Sequence, residues 1–119
     1  MTPRPAAGFP LLDLRRLEEF ASGREPALFA GIASTWARRL PAHERALRDA
    51  APKELPERLH ELRSGAVAIG LPRLADVLAG IEQKAEAGIP PAGPDIDAAM
   101  ALAERSAEEI MNWWEARLS

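Results

Sequence analysis

The chain has 119 residues, a formal net charge of −3 and no cysteine, enough for one hydrophobic core but excluding disulfides, thiolate chemistry and cysteine-ligated metals. Its basic residues are interleaved with acidic ones, so it lacks the one-sided basic face that neutralises nucleic-acid phosphates, and its apolar runs are too short for a membrane span. Aromatic residues make up 5% of the chain, Ala, Leu, Glu and Arg dominate, and no alternating β-branched run reads as a strand; the expected class is all-α.

Residues 1–10, with three prolines and a glycine, read as a mobile arm preceding one domain over 11–119. Leu11, Leu14, Leu17 and Phe20 then predict a short amphipathic helix, stopped by Ser22-Gly23. Glu25-Pro26 opens a second helix carrying Leu28, Ile32, Trp36, Leu40 and Leu47 inward to about Ala50. Pro41 lies inside that span and removes a bond to the Ala37 carbonyl, so a kink is expected there. His43 reads as a solvated surface residue.

The third predicted helix runs from about Lys53 to Ile69, with Pro56 in its tolerant first turn. Leu55, Leu59, Leu62, Ala66 and Ile69 form a narrow apolar seam. At about 100° per residue, His60 falls on the flank of that seam, with Pro56, Arg63 and Ser64 one turn away and Val67 two turns along. Gly65 costs a helix interior roughly 1 kcal/mol relative to Ala, which implies close approach by something. Gly70 ends this helix, and Leu71-Pro72 opens a fourth with Leu74, Leu78, Ile81 and Ala85 inward, closed by Gly88. After a proline-rich loop, Asp95 is a suitable N-cap for a last helix carrying Ile96, Met100, Ala103, Ala107, Ile110, Trp114 and Leu118. Trp114 belongs to that seam and Trp113 to a groove edge. Four long helices with short connections fit an antiparallel up-down-up-down bundle, the short first helix being additional. Such a bundle satisfies its own seams, so a monomer is expected. With no signal-peptide pattern, the expected location is the cytoplasm. The start at Met1 points to a free-standing protein.

His43 and His60 lie in different segments, without the carboxylate spacing that would complete a metal site. The companions of His60 carry more information. His60-x-Leu62-Arg63-Ser64-Gly65-Ala66, followed by Ile69-Gly70, resembles the histidine-containing phosphotransfer (HPt) domain of two-component phosphorelays. That family's pattern is His-x-Leu-Lys-Gly-Ser-(Ala/Ser) with an apolar-Gly pair ending the helix. Leu12-Asp13 with Leu17, Gly23-Arg24-Glu25, Trp36, Pro41 and the Leu74-to-Glu82 segment extend the likeness over Leu11–Gly88. The family's Lys is Arg63 here, which keeps the charge and forks onto phosphate. Its Gly-Ser pair is inverted to Ser64-Gly65.

The resemblance implies a phosphocarrier rather than a turnover enzyme. A neutral imidazole is a nucleophile near neutral pH. His60 would accept a phosphoryl group on Nε2 from the aspartyl phosphate of a response-regulator receiver domain, in some systems that of a hybrid histidine kinase, and pass it on. Arg63 would balance phosphoryl charge, Ser64 would contact the phosphoryl group, and Glu82 would accept from Nδ1–H and so orient the ring. Pro56, Val67 and Leu71 are the candidate docking residues. No cofactor of the chain's own is implied, because the receiver brings Mg²⁺.

Two alternatives stay open. The Ser64-Gly65 inversion also fits an HPt-like binding module that docks a receiver or kinase without phosphotransfer. His60-Glu61-Leu62-Arg63-Ser64 also resembles the phosphoacceptor box of sensor histidine kinases, although the Pro expected there is Gly65 and no glycine-rich ATP-binding region follows.

Overall fold

The computed structural model describes residues 8–119, and helix accounts for most of them. Six helices follow one another: α1 (Leu14–Ala21), α2 (Pro26–Arg38), α3 (Leu40–Asp49), α4 (Leu55–Ile69), α5 (Pro72–Glu86) and α6 (Gly93–Leu118). No strand occurs among the described residues. The neighbours α4 and α5 pack along their length, and α6 lies against α2, α3 and α5. Leu17, Leu59, Leu62, Leu74, Leu78, Ile110 and Trp114 fill the shared core. No described helix is long and apolar enough to cross a membrane.

The helix starts follow local chemistry. Asp13 caps α1, its Oδ1 accepting from the Arg16 amide at 3.2 Å, so this helix begins three residues after Leu11 rather than at it. Prolines occupy the first turns of α2, α3, α4, α5 and α6, where a missing N–H leaves no bond unmade. Asp95 is not the N-cap of α6. It sits inside the first turn and its Oδ2 accepts from the Ala92 amide at 3.1 Å, as the acid of a capping box does.

The expected long second helix is two helices. The Arg39 amide takes the Thr35 and Trp36 carbonyls at 3.2 and 3.1 Å, tightening the last turn of α2. Pro41 cannot bond back to Ala37, and the chain restarts as α3 at Leu40. The inward face of α2 also differs from expectation. Ala30, Ala33 and Trp36 are buried, whereas Leu28 and Ile32 are 52% and 44% exposed. Small alanines let α2 sit close to its neighbours, which turns its two large aliphatic side chains outward. At the ends of their helices, Leu14 and Leu118 are exposed as well, beyond the reach of the core.

Gly70 ends α4 in the left-handed region at φ 90°, a conformation that favours glycine. Its carbonyl accepts from the Asp13 amide at 2.9 Å. Alongside, Arg73 donates from its backbone to Pro10 at 3.2 Å and from Nε to the Phe9 carbonyl at 2.9 Å. The end of the segment read as a mobile arm is thus tied to the α4–α5 turn; residues 1–7 of that arm lie outside the described residues.

Candidate functional site

The seam of α4 decides what faces outward. Leu55, Leu59, Leu62, Ala66 and Ile69 are all buried, as their spacing predicts. That orientation puts His60 on the surface, with its side chain 57% exposed. On α5, Leu74, Leu78 and Glu82 recur every four residues and are the buried members of the helix. Glu82 therefore continues an apolar stripe, and its carboxylate is carried to the boundary between α5 and α4.

Three side chains meet there. Arg63 Nε donates to Glu82 Oε1 at 2.7 Å. The second arm of the guanidinium, Nη2, stands 2.9 Å from His60 Nδ1. Glu82 Oε2 lies 3.3 Å from the same nitrogen. Arg63's hydrogen bond holds the Glu82 carboxyl below its ordinary value, although burial alone would raise it. The same bond raises the Arg63 guanidinium, so the pair is ionised at neutral pH.

This geometry makes Nδ1 the point of choice. Without a proton, Nδ1 accepts from Arg63, and Nε2 carries the hydrogen. Protonated, Nδ1 donates to Glu82, and Nε2 has a free lone pair. The shorter contact is with Arg63, so the resting arrangement favours the first tautomer. The approach of Glu82 to Nδ1 expected from the resemblance is present, and a competing donor accompanies it.

Ser64 is exposed one turn from His60, and Val67 is 45% exposed on the same face. Pro56 is half-buried. Leu71 is corrected: it is fully buried, its amide bonded to the Ala66 carbonyl at 2.9 Å in the α4–α5 turn, and it has no surface to offer a partner. Glu61 pairs with Arg58 at 3.4 Å. Beside Arg63, a shallow cleft of about 300 Å³ is bordered by Phe9, Val67 and Asp76.

Gly65 has a structural explanation. A Cβ added there would lie 2.6 Å from Trp36 Cδ1 and 2.7 Å from its Nε1. The close approach that a helical glycine implies is made by the Trp36 indole from α2. His43 is also corrected: it is half-buried, and its pKa is lowered by that burial and then by the charge of Arg39. Periodicity does not mark the Trp36–Gly65 contact, because it crosses between helices. Trp113 is half-buried, its ring set edge-on to Trp114 with centroids 5.0 Å apart, which agrees with a groove-edge position. Among the described residues, no group of His, Asp and Glu is arranged to hold a metal ion.

Comparison with known proteins adds no family. No protein-family model, curated protein or solved structure matches the chain.

Proposed function

We propose that the protein is a phosphorelay intermediate that carries a phosphoryl group on His60. The observation that carries this reading is an imidazole whose side chain is 57% exposed and whose Nδ1 lies against an ionised Arg–Glu pair, with no protein hydrogen bond at Nε2 among the described residues. The helices fit the antiparallel four-helix bundle of the HPt resemblance, with α2–α3, α4, α5 and α6 as its four rods and α1 as the addition.

In the forward step, Arg63 leaves Nδ1, the ring exchanges its proton through solvent from Nε2 to Nδ1, and the lone pair so freed on His60 Nε2 attacks the phosphorus of a receiver aspartyl phosphate. The bond from phosphorus to the aspartyl oxygen breaks, and the carboxylate leaves on the receiver. The proton on Nδ1 stays on the ring, where Glu82 Oε2 accepts it as a hydrogen bond and offsets the positive charge that develops. Arg63 turns from Nδ1 toward the phosphoryl oxygens, which are stronger acceptors for a guanidinium. Ser64, exposed one turn away, donates to the same oxygens in this reading. The return step runs through the same positions. Mg²⁺ belongs to the receiver, and positioning and charge stabilisation do most of the work. Docking uses the exposed Val67 and the edge of Pro56 around the ring.

The test is incubation with a phosphorylated receiver domain and Mg²⁺. Acid-labile, alkali-stable phosphate should appear on this chain and disappear in His60→Gln. Transfer that persists in that variant would place the acceptor elsewhere. A complex that forms without any transfer would leave the binding-module reading in its place.

A further inference from the structure

Arg63 holds the resting imidazole in an unreactive form. Its Nη2 donates to His60 Nδ1 at 2.9 Å, so the hydrogen of the neutral ring sits on Nε2 and neither nitrogen has a lone pair to spare. The ring is accessible, with 57% of its side chain exposed, and inert at the same time. Glu82 Oε2 stands 3.3 Å from the same Nδ1, in place to accept a proton there once Arg63 has moved.

The guanidinium is free to move on one side only. Its Nε is fixed to Glu82 Oε1 at 2.7 Å, whereas Nη1 has no hydrogen-bond partner among the described residues. The side chain also keeps 28% of its surface in water. The Nη1–Nη2 edge is therefore a fork of the shape that takes two oxygens of a tetrahedral oxyanion. An oxyanion is a stronger acceptor for arginine than a neutral imidazole nitrogen, so an anion on that edge draws Nη2 off Nδ1. Glu82 then becomes the partner of Nδ1, the ring hydrogen passes through water from Nε2 to Nδ1, and Nε2 gains a lone pair. Nearby acids limit which anion reaches the fork. Glu57 and Glu61 are exposed to either side of His60 on α4, and Glu86 acts on the Arg63 charge after the closer Glu82. They repel dilute free anions, whereas a phosphoryl group on a docked domain arrives at high effective concentration.

We infer that Arg63 is an anion-operated latch that decides which donors His60 accepts. A tetrahedral oxyanion at its fork makes Nε2 nucleophilic, and a neutral electrophile meets an unreactive ring. The inference rests on the carrier reading for the identity of the donor, whose own phosphoryl group is then the anion. In that step Nε2 bonds to phosphorus as the bond from phosphorus to the donor oxygen breaks, and the hydrogen stays on Nδ1.

Diethyl pyrocarbonate, a neutral electrophile that acylates an imidazole nitrogen bearing a lone pair, tests the latch. In mildly alkaline buffer, where free imidazole is neutral, peptide mass spectrometry reads the rate at His60, with His43 as the internal reference. Arg63→Ala should be acylated at His60 about tenfold faster than the parent, the size of one lost charged hydrogen bond, although the same change slows phosphotransfer. A merely structural residue would not move the two rates in opposite directions. In the unaltered protein, sulfate should raise the His60 rate saturably relative to chloride at matched ionic strength. It should also move the ring ¹⁵N shifts toward the Nδ1–H pattern, and in Arg63→Ala it should do neither. An unchanged or slower acylation of Arg63→Ala would overturn the inference, and so would sulfate and chloride acting alike on the parent. No receiver enters these measurements, so the His60→Gln transfer assay decides the carrier reading separately.

Discussion

Gly65→Ala separates a packing role for this glycine from a role in keeping the surface beside His60 open. In an open helix interior the substitution should stabilise by roughly 1 kcal/mol through helix propensity. Here the new methyl would stand 2.6 Å from Trp36 Cδ1, well inside van der Waals contact. Trp36 is 7% exposed, so the indole cannot retreat into solvent, and overpacking of that kind costs about 1–3 kcal/mol. The two terms leave a net destabilisation of about 1 kcal/mol, a fall in Tm of roughly 4 °C for a domain of this size. Urea unfolding should show a lower midpoint with an unchanged slope. In a Trp36→Phe background the smaller ring relieves the contact, and the penalty should shrink by about 0.5 kcal/mol or more. A Gly65→Ala protein more stable than the parent would refute the reasoning, because it would mean that no indole lies against α4.

The arrangement at His60 makes opposite predictions for its two neighbours. Arg63→Ala should shift the imidazole toward the Nδ1–H tautomer, and Glu82→Ala toward Nε2–H; ¹⁵N shifts of the ring report both, and equal shifts in the same direction would contradict the competition for Nδ1. Arg63→Ala should also slow phosphotransfer by about tenfold or more without unfolding the protein, as rapid-quench measurements would show. The Glu82 carboxyl is held below its ordinary value, so its contribution to stability is fully present above about pH 4.3 and is lost as pH falls through the lowered value. Urea midpoints measured down that range should therefore fall less steeply in Glu82→Gln than in the parent. Gly70→Ala forces a side chain into φ 90° and should cost about 1–2 kcal/mol by the same melt.

Much of the fold could be read in advance because its dominant signal is local. The α4 seam follows from its alternating three- and four-residue steps, and the outward position of His60 follows from the seam. The face of α2 was harder to read, since its buried stripe is largely alanine and its two bulky aliphatic residues point outward. Residue size is a poor guide where helices approach closely. Pro41 signalled a disturbance, but whether the chain bends or restarts depends on how Arg39 satisfies the carbonyls before it. Leu71 looked like a surface neighbour of Val67 because helical spacing was extended past Gly70, where the left-handed residue reverses the chain. The meeting of Glu82 with His60 and Arg63 came from the HPt likeness rather than from spacing, which cannot register α5 against α4. The Trp36–Gly65 contact and the burial of His43 are products of helix–helix packing, and only the cost of a helical glycine hinted at the first.

The central claim is that Nε2 of His60 takes and releases phosphate, and the phosphorus–nitrogen bond itself is the most direct witness. After phosphorylation by a receiver aspartyl phosphate, ³¹P and ¹⁵N spectra of the imidazole-labelled protein should show phosphorus coupled to His60 Nε2. The bond should be lost when fresh, unphosphorylated receiver is added. Phosphorus on His43, on Nδ1 of His60, or on no histidine at all would contradict the account.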